Sequence, residues 1–282
     1  EVKVAVLSGK GGTGKTMLSV NLAAASGPST YVDCDVEEPN GHLFFKPDES
    51  SEETVSVLVP RADRNECDGC MACVRFCRYH ALAYSLDRLN VFDDMCHSCG
   101  GCAEICPRKA ITEHPREVGV VRTGRSGDVS VYTGTMNVGE AAGLPVIRRL
   151  LEMTAFSYGK NIFIDCPPGS SCSVMECIKD ADFCVLVAEP TIFGAHNLEM
   201  VSELVRVFGR PYGVVLNKVI ENERDPSEEY CLDNGLPILG RIPFDIGLGR
   251  ICSEAGIASR ENVVFERMFR EIYEKMTEMV SR

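Results

Sequence analysis

Residues Val2 to Ala25 read VKVAVLSGKGGTGKTMLSVNLAAA. Val2 to Leu7 are an apolar, largely β-branched run, and Lys15 to Ala25 carry apolar residues at helical period, so the segment predicts strand, tight turn and helix. The turn itself, Gly9-Lys10-Gly11-Gly12-Thr13-Gly14-Lys15-Thr16, fits G-x-x-x-x-G-K-[ST] in the strand-to-helix setting that phosphate binding requires. Glycines let backbone N–H groups curl around phosphate oxygens, and the helix N-terminus adds the positive end of its dipole. Lys15 is expected to meet the β and γ phosphates, and the Thr16 hydroxyl to ligate Mg²⁺.

Outward from this segment, apolar runs of strand length recur at Thr30–Val32, Asn161–Ile164, Phe183–Val187, Tyr212–Leu216 and Pro237–Leu239. Helical stretches such as Asn197–Phe208 lie between several of them. Strands apolar on both faces and alternating with helices predict an α/β fold, a mostly parallel P-loop sheet covered by helices on both sides. The pattern lapses between about 60 and 115, where composition shifts to Cys, Asp and Arg. The expected organisation is therefore a core of residues 1–59 and 116–282 with a small α+β domain inserted at 60–115. Val118–Tyr132 reads as a hairpin around a Gly-containing turn, and Asn262–Val280 as an amphipathic helix packed on the core.

Fifteen cysteines in 282 residues are unusual, and eight of them lie between Cys67 and Cys106. Cys67-x₂-Cys70-x₂-Cys73-x₃-Cys77 and Cys96-x₂-Cys99-x₂-Cys102-x₃-Cys106-Pro107 are two copies of the bacterial ferredoxin run. In that run three cysteines hold three corners of a [4Fe–4S] cube and the fourth serves the other cube. Cys67, Cys70, Cys73 and Cys106 are thus expected to share one cluster, and Cys96, Cys99, Cys102 and Cys77 the second. Zinc sites use paired C-x₂-C rather than four-cysteine runs. Arg78 stands after Cys77 where the run has proline.

The formal net charge is −12, which argues against a general nucleic-acid or anionic-membrane surface. No apolar run reaches the roughly 18 residues a bilayer span needs. The opening EVKVAVLSGKGG has no signal-peptide character, so a reducing cytoplasm is expected, where cysteines serve as metal ligands more readily than as cross-links.

The early lysine of the loop, Lys10, gives the variant K-G-G-T-G-K-T, which resembles the deviant phosphate loop of the MinD/ParA/Mrp and nitrogenase iron-protein ATPases. The resemblance implies that Lys10 reaches a partner's nucleotide across a dimer interface and neutralises charge on the transferred phosphoryl group. Val32-Asp33-Cys34-Asp35 resembles switch I, implying that Asp35 positions the attacking water. Asp165-Cys166-Pro167-Pro168-Gly169 resembles the Walker B and switch II stretch, with Asp165 near Mg²⁺. Asn217 resembles the asparagine that recognises adenine, and Pro243-Phe244-Asp245 the later base-contacting turn. Together these imply an ATP- and Mg²⁺-dependent ATPase working as a homodimer or a heterodimer with a related chain. Coupled to two [4Fe–4S] clusters, it would pass electrons to a redox protein. A cluster carrier serving a cluster-accepting protein, with a bridging cluster at Cys172 or Cys177, and a MinD-type positioning ATPase are the alternatives.

Overall fold

The computed structural model describes residues 2–154 and 160–281. Its strands are β1 (Lys3–Leu7), β2 (Ser29–Asp33), β3 (Asp48–Ala62), β4 (Leu82–Ser85), β5 (Arg88–Val91), β6 (Ile111–Ser126), β7 (Val129–Met136), β8 (Asn161–Asp165), β9 (Phe183–Ala188), β10 (Tyr212–Val219) and β11 (Ile238–Pro243). The helices are α1 (Lys15–Ala25), α2 (Gly41–Phe45), α3 (Ala72–Phe76), α4 (Gly101–Glu104), α5 (Leu144–Thr154), α6 (Cys172–Ile178), α7 (Ile192–Val207), α8 (Pro226–Asp233), α9 (Ile246–Ser253), α10 (Ala258–Glu261) and α11 (Val263–Val280).

Nine strands form one sheet in the order β11-β10-β9-β1-β8-β2-β7-β6-β3. From β11 to β7 every pairing is parallel, and β6 and β3 are then added antiparallel. The expected mostly parallel sheet is therefore present, and β1 shows why. Val4 and Val6 join a core with α1, α2 and α11, whereas Ala5 and Leu7 join a core with α5, α6 and α7 on the opposite face. A central strand with two buried faces reads as a continuous apolar run.

The β6–β7 hairpin turns at Gly127, whose φ of +60° suits glycine, and runs longer than the sequence suggested. The sequence reading missed β3, which pairs with β6 along its whole length. These two strands make a ribbon at the sheet edge, and residues 63–110 sit at its end. That segment holds the β4–β5 hairpin and the short helices α3 and α4, and its Cys73 and Leu82 form a small apolar core with Ile111 at the start of β6.

Helix α11 buries Phe265, Phe269, Ile272 and Met276 against the sheet face that carries Phe163 and Phe183. Among the described residues no helix is long and apolar enough to cross a membrane. Truncating Phe269, which is fully buried, to alanine should cost about 3–5 kcal/mol, measurable as a lowered urea midpoint.

Candidate functional site: a phosphate loop and a cysteine unit

The glycine-rich turn leaves β1 and enters α1 through Gly14, whose φ of +89° starts the helix at Lys15. It borders a cavity of about 620 Å³ at the C-terminal ends of the parallel strands. Lys10, Gly11, Gly12, Thr13, Gly14, Lys15, Thr16 and Asp35 all line it. Gly9 lies behind, packed so closely on α7 that a Cβ there would meet Asn197 at 2.5 Å.

Lys15 is almost fully buried and its Nζ lies 2.6 Å from Asp165 Oδ1. Burial alone would push the ammonium down, but the Asp165 carboxylate outweighs it and holds Lys15 above its ordinary value. Asp165 also accepts from Ser19 Oγ at 3.2 Å and from the Tyr31 hydroxyl at 3.0 Å. Asp35 stands at the cavity edge with Oδ2 4.0 Å from Lys15 Nζ. Its pKa is raised by burial against the pull of Lys15. Asp33 is buried and accepts the N–H groups of Asp35 (3.2 Å) and Gly41 (2.8 Å). Burial first and the Asp165 charge second push its carboxyl up to about 8. Thr13 Oγ1, in the middle of the loop, is buried without a hydrogen-bond partner.

The remaining expected residues are placed differently. Lys10 is 42% exposed and pairs with Glu189 at 2.8 Å. Glu189 also binds Lys218, which donates to the Gly12 carbonyl at 2.8 Å. These two lysines hold Glu189 below its usual range although burial would raise it. Asn217 lies behind the loop, where its Nδ2 donates to the Thr13 carbonyl at 2.7 Å. Asp245 caps α9 through the Leu248 N–H at 2.8 Å, and the exposed Phe244 and Pro243 complete that turn away from the cavity walls. Tyr31, Ser19, Glu189 and Lys218 escaped the sequence reading, because each acts through a partner far away in the chain.

In the cysteine unit, Cys67, Cys70, Cys73 and Cys106 line one tight cavity. Cys77, Cys96, Cys99 and Cys102 line another of about 230 Å³, beside the stacked rings of Tyr79 and His97, whose centroids are 3.7 Å apart. Burial pushes the Cys102 thiol up to about 11. Among the described residues no three His, Cys, Asp or Glu side chains converge as on a single metal ion. Cys34, Cys166 and Cys177 are buried together: the Cys177 contact lowers Cys34 and the Cys166 contact lowers Cys177, but burial and the neighbouring charges leave all three thiols raised. Cys177 therefore faces inward, and of the pair considered for a bridging cluster only Cys172 is exposed.

Residues 4–255 match the CobQ/CobB/MinD/ParA nucleotide binding domain. The chain belongs to that family. It is a P-loop ATPase by that membership. Over 284 residues it is 26% identical to Methanocaldococcus jannaschii MJ0578, an uncharacterised protein, covering 99% of this chain and 98% of that one. The fold matches the septum site-determining protein MinD of Pyrococcus horikoshii, solved with Mg-ADP, at a TM-score of 0.61 and 20% identity over 97% of this chain and 95% of that one. An 83-residue stretch is 31% identical to pyruvate synthase subunit PorD of Thermotoga maritima, covering 28% of this chain and 84% of PorD.

Asp33 generates a pH prediction. Its folded pKa lies above the unfolded value, so the folded state holds the extra proton between about 4 and 8. Stability is then highest near the acid end of that window and falls as pH rises through 8. Asp33→Asn should flatten this decline, seen as a urea midpoint that changes less between about pH 5 and 8 than in the unaltered chain.

Proposed function

We propose that this family member is an ATP-dependent iron–sulfur protein in which a nucleotide-driven dimer cycle controls electron transfer to a protein acceptor. The observation that carries the reading is the sorting of eight cysteines into two four-thiol cavities on the chain that carries the phosphate loop. Thiol-only donor sets suit iron–sulfur clusters, and four thiolates on a cube ligate four separate irons, a wider arrangement than one ion needs. Cys67, Cys70, Cys73 and Cys106 would hold one cluster, and Cys96, Cys99, Cys102 and Cys77 the other. Bound there, such clusters supply low-potential one-electron transfer. The likeness to PorD adds that a stretch of this chain resembles a subunit of a larger enzyme.

At the nucleotide end, the unpartnered Thr13 hydroxyl and the N–H groups of the loop are donors suited to phosphate oxygens. Lys15 would neutralise the β and γ phosphates, Thr16 would ligate Mg²⁺, and Asp165 would bind the ion's water shell. Asp35, at the cavity edge, would orient the attacking water. Lys10 is exposed enough to leave Glu189 and reach the nucleotide of a second chain, either another copy or a related one. Cys177 points inward, which weakens the cluster-carrier reading, and the apolar face of α11 is taken up by the core, which weakens membrane positioning.

Anaerobically reconstituted protein should contain about eight irons per chain and, when reduced, show EPR signals of two clusters. ATP should govern electron delivery to an acceptor. Iron that stays near zero, or reduction indifferent to ATP, overturns the proposal. Lys10→Ala should retain the iron yet lose the ATP dependence, and Asp35→Asn should lower ATP turnover by about 10²–10⁴-fold in a phosphate-release assay.

A further inference from the structure

A second cavity, of about 340 Å³, lies across α2 from the nucleotide cavity. Helix α2 walls both: Phe44 faces the nucleotide side, while His42 and the helix-terminating Lys46 face the other. Arg122 of β6 and Thr133 and Thr135 of β7 complete the polar lining. None of the described lining residues is acidic.

The polar groups in this cavity are largely unsatisfied. His42 Nδ1 is buried without a partner. Among the described residues, the Lys46 ammonium and the hydroxyls of Thr133 and Thr135 make no hydrogen bond or ion pair. Arg122 gives its Nε to Glu52 at 2.7 Å and keeps its terminal nitrogens. The pattern of β7 is telling, because its inward positions run Val129, Val131, Thr133, Thr135. Valine is the near-isostere of threonine and would bury more apolar surface, so the two hydroxyls matter only where something polar meets them. A cavity within the usual ligand range of about 300–1,000 Å³, rich in donors and lacking carboxylates, selects a compound bearing an oxyanion.

We propose that this cavity binds a small phosphate or carboxylate compound, and that its occupancy is felt at the nucleotide site through α2. The lever is short. The Gly41 N–H, at the start of α2, donates to Asp33, which lies beside Asp165 and Lys15, and a Cβ at Gly41 would meet the Tyr31 ring at 2.2 Å. Any shift of α2 therefore reaches the groups that hold the loop lysine.

The test uses the full chain with Mg²⁺ and a non-hydrolysable ATP analogue filling the phosphate loop. Calorimetric titration with inorganic phosphate and, separately, with citrate should reveal one saturable site for at least one anion and so separate phosphate from carboxylate ligands. Lys46→Ala should weaken it by about tenfold. Thr133→Val, which preserves shape and strand preference, should weaken it several-fold. The anion should change the analogue's affinity, and the analogue the anion's, by one common factor. The proposal fails if neither anion saturates, or if both variants bind as the unaltered chain does. An analogue affinity that ignores the anion overturns the coupling. Iron content plays no part in the readout, so this outcome is separate from that of the electron-transfer proposal.

Discussion

The carboxylate of Asp165 is the constraint around which the site is built. It is fully buried at the end of β8, and a buried anion is tolerable only where donors replace water. Three side chains do so: Lys15 from the first turn of α1, Ser19 one turn further on, and Tyr31 from β2. Those contacts pin α1, β8 and β2 to one point. Burial first, and the Asp165 charge second, make a further negative charge at Asp33 costly and raise its carboxyl, against the opposing pull of Lys15.

From that point a chain of contacts leads to the cysteine unit. The Val36 carbonyl, just beyond Asp35, accepts the Met136 N–H at 3.0 Å, and the loop after Met136 returns past Gly143 on the nucleotide cavity wall. Within that loop Glu140 clamps Arg116 of the ribbon through both guanidinium ends. Arg116 in turn lies close enough to Asp93 to lower its pKa, after the larger effect of Arg61, which binds Asp93 at 2.7 and 2.6 Å just ahead of Cys96. Paired charges held in fork geometry resist sliding, so the ribbon is tied to the nucleotide wall on one side and to the cysteine unit on the other. Such continuity is a physical route for coupling.

How far these features could be read in advance depended on the range of the interaction. The strand, loop and helix from Val2 to Ala25 were legible because glycine placement and apolar period are local signals. The central strands were legible because burial on both faces leaves little choice of residue. Strand β3 was not: its first half, Asp48 to Thr54, is polar, so hydrophobic period carries no signal there. The role of Tyr31 was hidden for another reason. A tyrosine within an apolar strand reads as core, and only the fold brings its hydroxyl to a carboxylate 134 positions away. The inward turn of Cys177 likewise follows from α6 packing on Cys34 and Cys166, which no local pattern announces.

The distribution of lysines sharpens the contrast between the two anion-suited cavities. In an acidic chain, lysines near a phosphate site find carboxylate partners, and Lys10, Lys15 and Lys218 each have one, in Glu189 or Asp165. A phosphate arriving at the loop must displace those carboxylates, so a bare anion gains little there. On the function proposed above a nucleotide would gain more, since its Mg²⁺ would give the released Asp165 a new counter-charge. Lys46 has no such partner among the described residues, and in its cavity only Arg122 gives a nitrogen to a carboxylate, that of Glu52. The same net charge therefore leaves one cavity whose lysines are all held by carboxylates and one whose lysine is free of them among the described residues, with the five residues of α2 between them.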